Sequence, residues 1–383
     1  MSTVEIRDLS LEEADVAATF FHEHWRANHI FQRNRELLLW LYHFNPYASL
    51  FSRGLTFRAV FDGRKNVGVF AYMPFVFNRY GNRRFGCHLS AWWVHPDRRR
   101  GPLGLSLLHS LQEDSPFDAC IAGMNTPVAE RLYERMAWVV VHAIPRLVFV
   151  VQIEQCRSLL NPAVSMPSSV THVVQKPSPA EIVHVGPAMR NEEIEVFALK
   201  SFDELPNLRW DDFYWQRIAP AQMGPARESV YLRWRYQDVP VFRYEALLAR
   251  SRGEVSGLLV YRVEQIQDSE HRIIRLVDIV AEPCAIPPLV DMLKQRAALQ
   301  QLAFIDFFCT HSSYLDQLIA CGFADARDSS GERYWLPYLF QPLDHTRSRL
   351  NSAWWIRDMD LRSAAARSDF CIMKGDYEFD RPN

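Results

Sequence analysis

The eleven residues VHPDRRRGPLG, Val94 to Gly104, combine side-chain and main-chain groups that can hold an anion. They follow the apolar run CHLSAWWV and precede LSLLHSL, so the order reads as strand, turn rich in Arg and Gly, then helix. A helix N-terminus carries about half a positive charge, and its first amides lack internal acceptors, so phosphates bind there readily. The amides on offer are those of Arg99, Arg100, Gly101, Leu103, Gly104 and Leu105. Gly101 and Gly104 allow close backbone approach and positive φ. Pro102 removes one donor, but at the first turn of a helix that donor would be an orphan. On these residues alone, a diphosphate cradle and a basic surface loop are equally open.

The elements that must position this turn come from a chain of 383 residues, long enough for two domains. A composition 48% hydrophobic and 13% aromatic suits packed cores rather than disorder. Formal charge is −2, from 43 basic and 45 acidic residues, which argues against a dedicated nucleic-acid binder. The Arg cluster therefore needs a local explanation. Cysteines 87, 120, 156, 284, 309, 321 and 371 are scattered and never form C-x-x-C. Buried free thiols in a reducing compartment are expected, with no metal site and no disulfide framework. The polar, acidic start MSTVEIRDLSLEEAD does not read as a signal peptide, and no long apolar run suggests a span. A soluble cytoplasmic protein without membrane partners is the expectation.

The two halves repeat. LLLWLYHFNPYASLF followed by LTFRAVFDGRKNVGVFAYM matches YLRWRYQDVPVFRYEALLARSRGEVSGLLVYRV. Trp40, Tyr42, Pro46 and Gly68 correspond to Trp234, Tyr236, Pro240 and Gly257. LYERMAW (132–138) and LIACGF (318–323) then each close a helix and enter a strand. Such order implies tandem copies of one fold. The copies fall at 1–160 and 190–345, with a Pro/Ser-rich linker at 161–189 and a C-terminal extension at 346–383. In the first copy, Ser10 and Glu13 form a capping-box signature before a helix. Two alternating strands follow, then strand HLSAWWV, the Arg/Gly turn, a helix, strand DACIAGM and helix PVAERLYERM. That βαβ order predicts a parallel pair, with any ligand at the carboxyl ends of the strands. The fold class is α/β, with a mixed twisted sheet and flanking helices in each copy.

At these residues the first half resembles the GNAT acyltransferase superfamily, whose coenzyme A motif is V-x-P followed by x-x-R/Q-x-x-G-x-G/A. Val94, Pro96, Arg99 and Gly104 fit, while Pro102 replaces the first glycine. The family's downstream Asn and A-x-x-L-Y-x-x-x-G-F element is matched by Asn125, Ala129, Leu132, Tyr133, Ala137 and Trp138. Ala replaces the Gly, Trp the Phe, and Asn125 lies one residue further upstream than usual. The second half keeps the topology, but after VDIVAE it has PCAIPPLVDMLKQR, with prolines 283, 287 and 288 where amides should meet a diphosphate. It is expected not to bind the cofactor.

The resemblance implies acyl-CoA as co-substrate, its pantetheine pairing with backbone near Trp92, Trp93 and Val94 between splayed strands. It implies direct attack of an amine on the thioester, with Tyr133 protonating the departing thiolate. His88, taken to share a face with Ser90 and Trp92 by alternation, is the candidate base. A satisfied structural role for His88 is equally open, His22 and His24 are weaker candidates, His95 is read as facing solvent, and an acceptor that arrives neutral needs no base. The duplicated architecture and the tail GDYEFDRPN resemble two-domain members acting on nucleotide-linked amino sugars in bacterial surface-polysaccharide biosynthesis. An antibiotic or peptide amine as acceptor, or a non-catalytic binding protein of the same fold, remain the alternatives. The tail acids Asp376, Glu378 and Asp380 could bind an amine if the tail folds back. A monomer behaving as a fused dimer and a homodimer are both open.

Overall fold

The computed structural model describes residues 4–25, 27–112, 116–160, 194–327, 331, 334–337, 350–357 and 368–377. The proposed linker at 161–189, Glu378 and Asp380 lie outside the described residues. The strands are β1 Val4–Asp8, β2 Phe57–Asp62, β3 Lys65–Arg79, β4 Asn82–Val94, β5 Ala119–Gly123, β6 Val139–Val141, β7 Arg146–Val150 and β8 Ile194–Leu199. They continue as β9 Met223–Pro225, β10 Glu245–Ser251, β11 Glu254–Gln265, β12 Arg272–Ala281, β13 Phe304–Phe308, β14 Ala324–Asp325 and β15 Ser352–Ile356. The principal helices are α1 Ala14–His24, α2 Arg35–Tyr42, α3 Leu103–Gln112, α4 Pro127–Arg135, α5 Ser229–Tyr236, α6 Ile286–Leu299 and α7 Ser312–Ala320.

One sheet runs β1-β2-β3-β4-β5-β15-β6, with β9 added against β3. The other runs β14-β7-β13-β12-β11-β10-β8. Both are mixed and flanked by helices, the α/β architecture read from the sequence. In each, the strands joined by the βαβ crossover are parallel, β4 with β5 and β12 with β13. Neither sheet is built from one contiguous stretch. β7 precedes the second half in sequence yet pairs with β13, while β15, from the C-terminal stretch, inserts between β5 and β6.

The repeated W-x-Y motif has a physical reason. Trp40 of α2 and Trp234 of α5 stack with ring centroids 4.8 Å apart and planes 22° apart. Each indole N–H donates to the other's carbonyl, at 3.0 and 3.1 Å, so the halves meet about a local two-fold. The tyrosines turn instead into their own sheets. The Tyr42 hydroxyl lies 2.9 Å from Ser90 Oγ, and Tyr236 donates to Asp278 at 2.7 Å. One apolar core runs through this junction, from Phe20 and Phe57 to Trp210 and Val260.

Two local expectations differ. α1 begins at Ala14 rather than after Ser10. Glu13 does reach back to the Ser10 amide at 3.0 Å, half of a capping box, but both its oxygens also accept from Arg7 at 2.7 Å. That bidentate pair holds Glu13 outside the first helical turn. Among the cysteines, 87, 120, 156, 309 and 371 are buried, whereas Cys284 is exposed and Cys321 half-buried. Among the described residues no helix is long and apolar enough to cross a membrane.

Candidate functional site

β4 pairs with β3 along its whole length but with β5 only over Gly86–Leu89. Past Leu89 and Ala122 the two strands part, and no described strand lies against Ser90–Val94 on that side. The register with β3 slips at the same point, Ala71 facing Ala91 and Tyr72 facing Leu89, which leaves Ser90 as a bulge. One extra residue reverses the alternation beyond it. His88 therefore lies on one face, and Trp92 and Val94 lie on the other, packed with Tyr133 and Leu107. The expectation that His88 and Trp92 share a face is corrected by this bulge. The gap between the strands joins the two faces.

At its far end lies the Arg/Gly turn. Pro96–Arg98 form a single 3-10 turn, after which α3 begins at Leu103. The amides of Arg99 and Gly101 donate to the Pro96 and Arg98 carbonyls, each at 3.2 Å, and are consumed inside the turn. Those of Arg100, Leu103, Gly104 and Leu105 meet no acceptor among the described residues. Pro102 contributes its carbonyl, which accepts from the Ser106 amide at 2.9 Å. Neither Gly101 nor Gly104 uses a positive φ, and a Cβ at either would meet nothing nearer than 3.6 Å. Their smallness is not required by the turn itself. Arg98 pairs with Asp62, and Arg99 Nε donates to the Val94 carbonyl at 2.9 Å. Arg100 is exposed, and its side chain makes no hydrogen bond or ion pair among the described residues. The Trp92 indole donates to the Gly104 carbonyl at 3.2 Å, tying strand to helix, while Trp93 stacks on His24 at 4.3 Å on the opposite face.

Tyr133 is buried on α4, stacked on Trp138 with centroids 4.4 Å apart and tilted toward Trp92 at 5.9 Å. Burial, with smaller contributions from Cys120 and Cys87, pushes its phenol above the ordinary value, so it stays protonated at neutral pH. Asn125 stands where β5 turns into α4. Its amide donates to Asn351 Oδ1 at 2.6 Å, and its carbonyl accepts from Asn351 Nδ2 at 2.9 Å. Asn351 also donates to Glu130 at 2.6 Å, so a residue of the C-terminal stretch fixes the entry to the helix that carries Tyr133. The sequence reading had not singled out Asn351.

On the His88 face a cavity opens between the halves. Asn45, Met73, Phe75, His88 and Ile121 line it from the first half, and Tyr231, Trp234 and Arg235 from the second. The tail contributes Asp376. His88 is 2% exposed, and neither ring nitrogen has a hydrogen-bond partner among the described residues. Burial, and then the charge of Arg235, push its pKa down to about 3, so the ring is neutral but a weak proton acceptor. Arg235 Nε donates to the Gly375 carbonyl at 2.5 Å and its Nη2 to the Tyr377 carbonyl at 2.7 Å. This holds the tail across the cavity, with the Tyr377 ring edge-on to His88 at 5.3 Å. Gly375 must be glycine here, because a Cβ would lie 2.0 Å from the Tyr236 hydroxyl. Arg227 bridges Asp278 at 2.7 Å and Asp376 at 2.8 Å, all three buried. The sequence reading reached His88 and Asp376 but missed Asn45, Arg227, Tyr231 and Arg235. Arg235 lay in plain view inside the second W-x-Y.

No family model and no curated protein matches the chain. Its fold is that of the GCN5-related N-acetyltransferases. The enzyme of that class from Anabaena variabilis superposes with a TM-score of 0.50 at 13% identity, covering 92% of this chain and 73% of its own. The one from Kribbella flavida gives a TM-score of 0.50 at 12% identity, over 96% of this chain and 74% of its own. A probable N-acyltransferase from Enterococcus faecalis aligns at 12% identity with a TM-score of 0.48, over 80% of this chain. The chain spans 65% of that protein's length.

Proposed function

We propose that the chain is an acyl-CoA-dependent N-acyltransferase whose acceptor is the amine of a nucleotide-linked amino sugar. The observation that carries the reading is the parting of β4 and β5 beyond Leu89. The gap has unspent helix amides at one end and a cavity with an unpartnered imidazole at the other. Diphosphate would lie on the amides of Arg100, Leu103, Gly104 and Leu105, with the Arg100 side chain beside it. Pantetheine would run along Ser90–Val94, sharing the Val94 carbonyl with Arg99. The thioester would then stand at the apex of the gap, with Tyr133 on one face and His88 on the other.

The neutral amine attacks the thioester carbonyl carbon, the C–S bond breaks, the thiolate takes a proton from Tyr133, and the surplus proton on the new amide nitrogen returns through water to the Tyr133 phenolate. His88, at about 3, is too weak to remove a proton from an ammonium of ordinary pKa and serves to orient the nitrogen. Support for a sugar acceptor is the cavity's mixture of ring faces with groups that pair with hydroxyls. Phe75, Tyr231 and Trp234 supply the first, and Asn45, Arg235 and Asp376 the second. The test is thiol release from several acyl-CoAs against dTDP- and UDP-linked amino sugars, with antibiotic and peptide amines as further arms. Turnover confined to amino sugars supports the reading, and turnover of the other amines alone refutes the sugar. Absence of heat on titrating millimolar acetyl-CoA would leave only a binding protein.

A further inference from the structure

The tail residue Asp376 lines the acceptor cavity but takes no part in the bond-making and proton steps above. Its Oδ2 accepts from Arg227 at 2.8 Å and from the Met373 amide at 2.7 Å. Among the described residues its Oδ1 has only the Tyr231 hydroxyl, at 3.5 Å. The side chain lines the same cavity as His88, whose two buried ring nitrogens make no hydrogen bond. A neutral imidazole needs one donor and one acceptor from whatever enters. A carboxylate oxygen with spare lone pairs needs donors, and an ammonium offers three.

We propose that Asp376 is the acceptor-recognition residue, receiving the protonated amine of the incoming substrate beside His88, so that the folded-back tail is part of the acceptor site. Around it stand Arg227, Asp278, Tyr231 and Tyr236, with Arg235, Lys374 and Tyr377 close by on the tail and α5. Arg227 is shared between two carboxylates, Asp278 and Asp376, and Arg235 is turned onto tail carbonyls. The Oδ1 lone pairs of Asp376, met only by the long Tyr231 contact among the described residues, therefore remain open to a further donor. Burial raises its carboxyl above the ordinary range against the pull of Arg227, which makes it a better proton acceptor than His88. The inference rests on the acyltransfer reading for its meaning, but it is tested without turnover.

The experiment titrates the full chain with glucosamine and with glucose, which differ at C2 by ammonium against hydroxyl, and separately with acetyl-CoA. Wild type should bind glucosamine at least about tenfold more tightly than glucose, the weight of one partly screened ion pair. Asp376→Asn should abolish the preference and leave acetyl-CoA affinity unchanged. Tyr231→Phe, which spares the Arg227 pair, should retain the preference and stands in if the first variant does not fold. Equal binding of the two sugars by wild type, or binding of neither at tens of millimolar, overturns the proposal, as does a preference that survives Asp376→Asn. Loss of the preference in Tyr231→Phe moves recognition to that hydroxyl and also overturns it. Acetyl-CoA binding reports the acyltransfer reading independently, so the two can fail separately.

Discussion

Replacing Gly104 by alanine separates what the Arg/Gly turn does for the fold from what it does for a ligand. Gly104 lies in the first turn of α3 with no positive φ, and its neighbours leave room for a methyl group. The nearest atoms to a Cβ would be Trp92 Cζ2 and Val94 Cγ2, both at 3.6 Å, which is ordinary contact. Alanine in a helix is favoured over glycine by about 0.5–1 kcal/mol, so Gly104→Ala should melt slightly higher than wild type. If a diphosphate lies on this helix end, as proposed, the same methyl crowds its approach to the Gly104 amide. Losing one charge-assisted hydrogen bond costs about 1.5–3 kcal/mol, a rise of about 10- to 150-fold in the dissociation constant for coenzyme A. Calorimetric titration beside a thermal melt reads both. The reasoning predicts opposite signs, a gain in stability with a loss of affinity. Wild-type affinity in a variant that melts normally would mean that no phosphate sits on this helix end.

Tyr133→Phe should lower turnover by about 10²–10⁴ if the phenol protonates the thiolate. Its melting point should barely move, because phenylalanine keeps the ring packed on Trp138 and Trp92, and a loss under about threefold would remove the acid role. Ala137 has φ +59° where the second half has Gly322 at +86°, and Trp138 and Phe323 close the two helix ends alike, onto the Tyr133 and Leu318 carbonyls. A left-handed alanine costs about 1 kcal/mol, so Ala137→Gly should shift the urea midpoint upward. Glu13 is held down to about 2 from 4.5, chiefly by its hydrogen bonds from Arg7. A depressed folded pKa stabilises above the unfolded value and is lost as pH falls toward about 2. Glu13→Gln should therefore flatten the acid limb of a urea-midpoint profile below pH 4.5 and leave the shape at neutral pH unchanged.

Legibility in the sequence followed the range of the interactions. The W-x-Y repeat, the strand–helix–strand order and the turn at 94–104 were readable because each is local, a matter of periodicity, capping residues and glycine placement. The bulge at Ser90 was not, since counting by twos cannot reveal an unpaired residue, and so the face of His88 was read wrongly. Asn125 could be named from its motif, but its clamp comes from Asn351, 226 residues away. The cavity draws residues from positions 45, 73–75, 88, 121, 225–235 and 376, a set that only the docking of the halves assembles. Strand β15, reading SAWWI, looked like part of an appendage because nothing in a serine and four apolar residues names the sheet that will take them.

The repeat also shows how the second half fills the region that corresponds to the His88 side of the cavity. Matching Gly68 with Gly257 and following the registers, the row Met73–His88–Ile121 becomes Arg262–Arg275–Asp306, and Phe75 becomes Glu264. In the second half these side chains fill the space by pairing with one another. Arg275 reaches Asp306 at 3.3 Å and Glu264 at 3.2 Å, Arg262 pairs with Glu264, and Arg146 of β7 closes the ladder onto Asp306 at 2.8 Å. Buried ions persist only when so fully paired, and breaking one partner away would strand the rest. The first half carries an unpartnered imidazole among apolar neighbours in the same places, an arrangement that costs stability and leaves room for a polar guest. At the neighbouring turn the contrast repeats. α6 opens with Pro287 and Pro288, and the Ala285 amide is used on Glu282 at 2.9 Å, whereas α3 opens with amides unspent. Both regions are thus filled in one copy and open in the other, the arrangement a single reaction would need if it used the helix end and the cavity together.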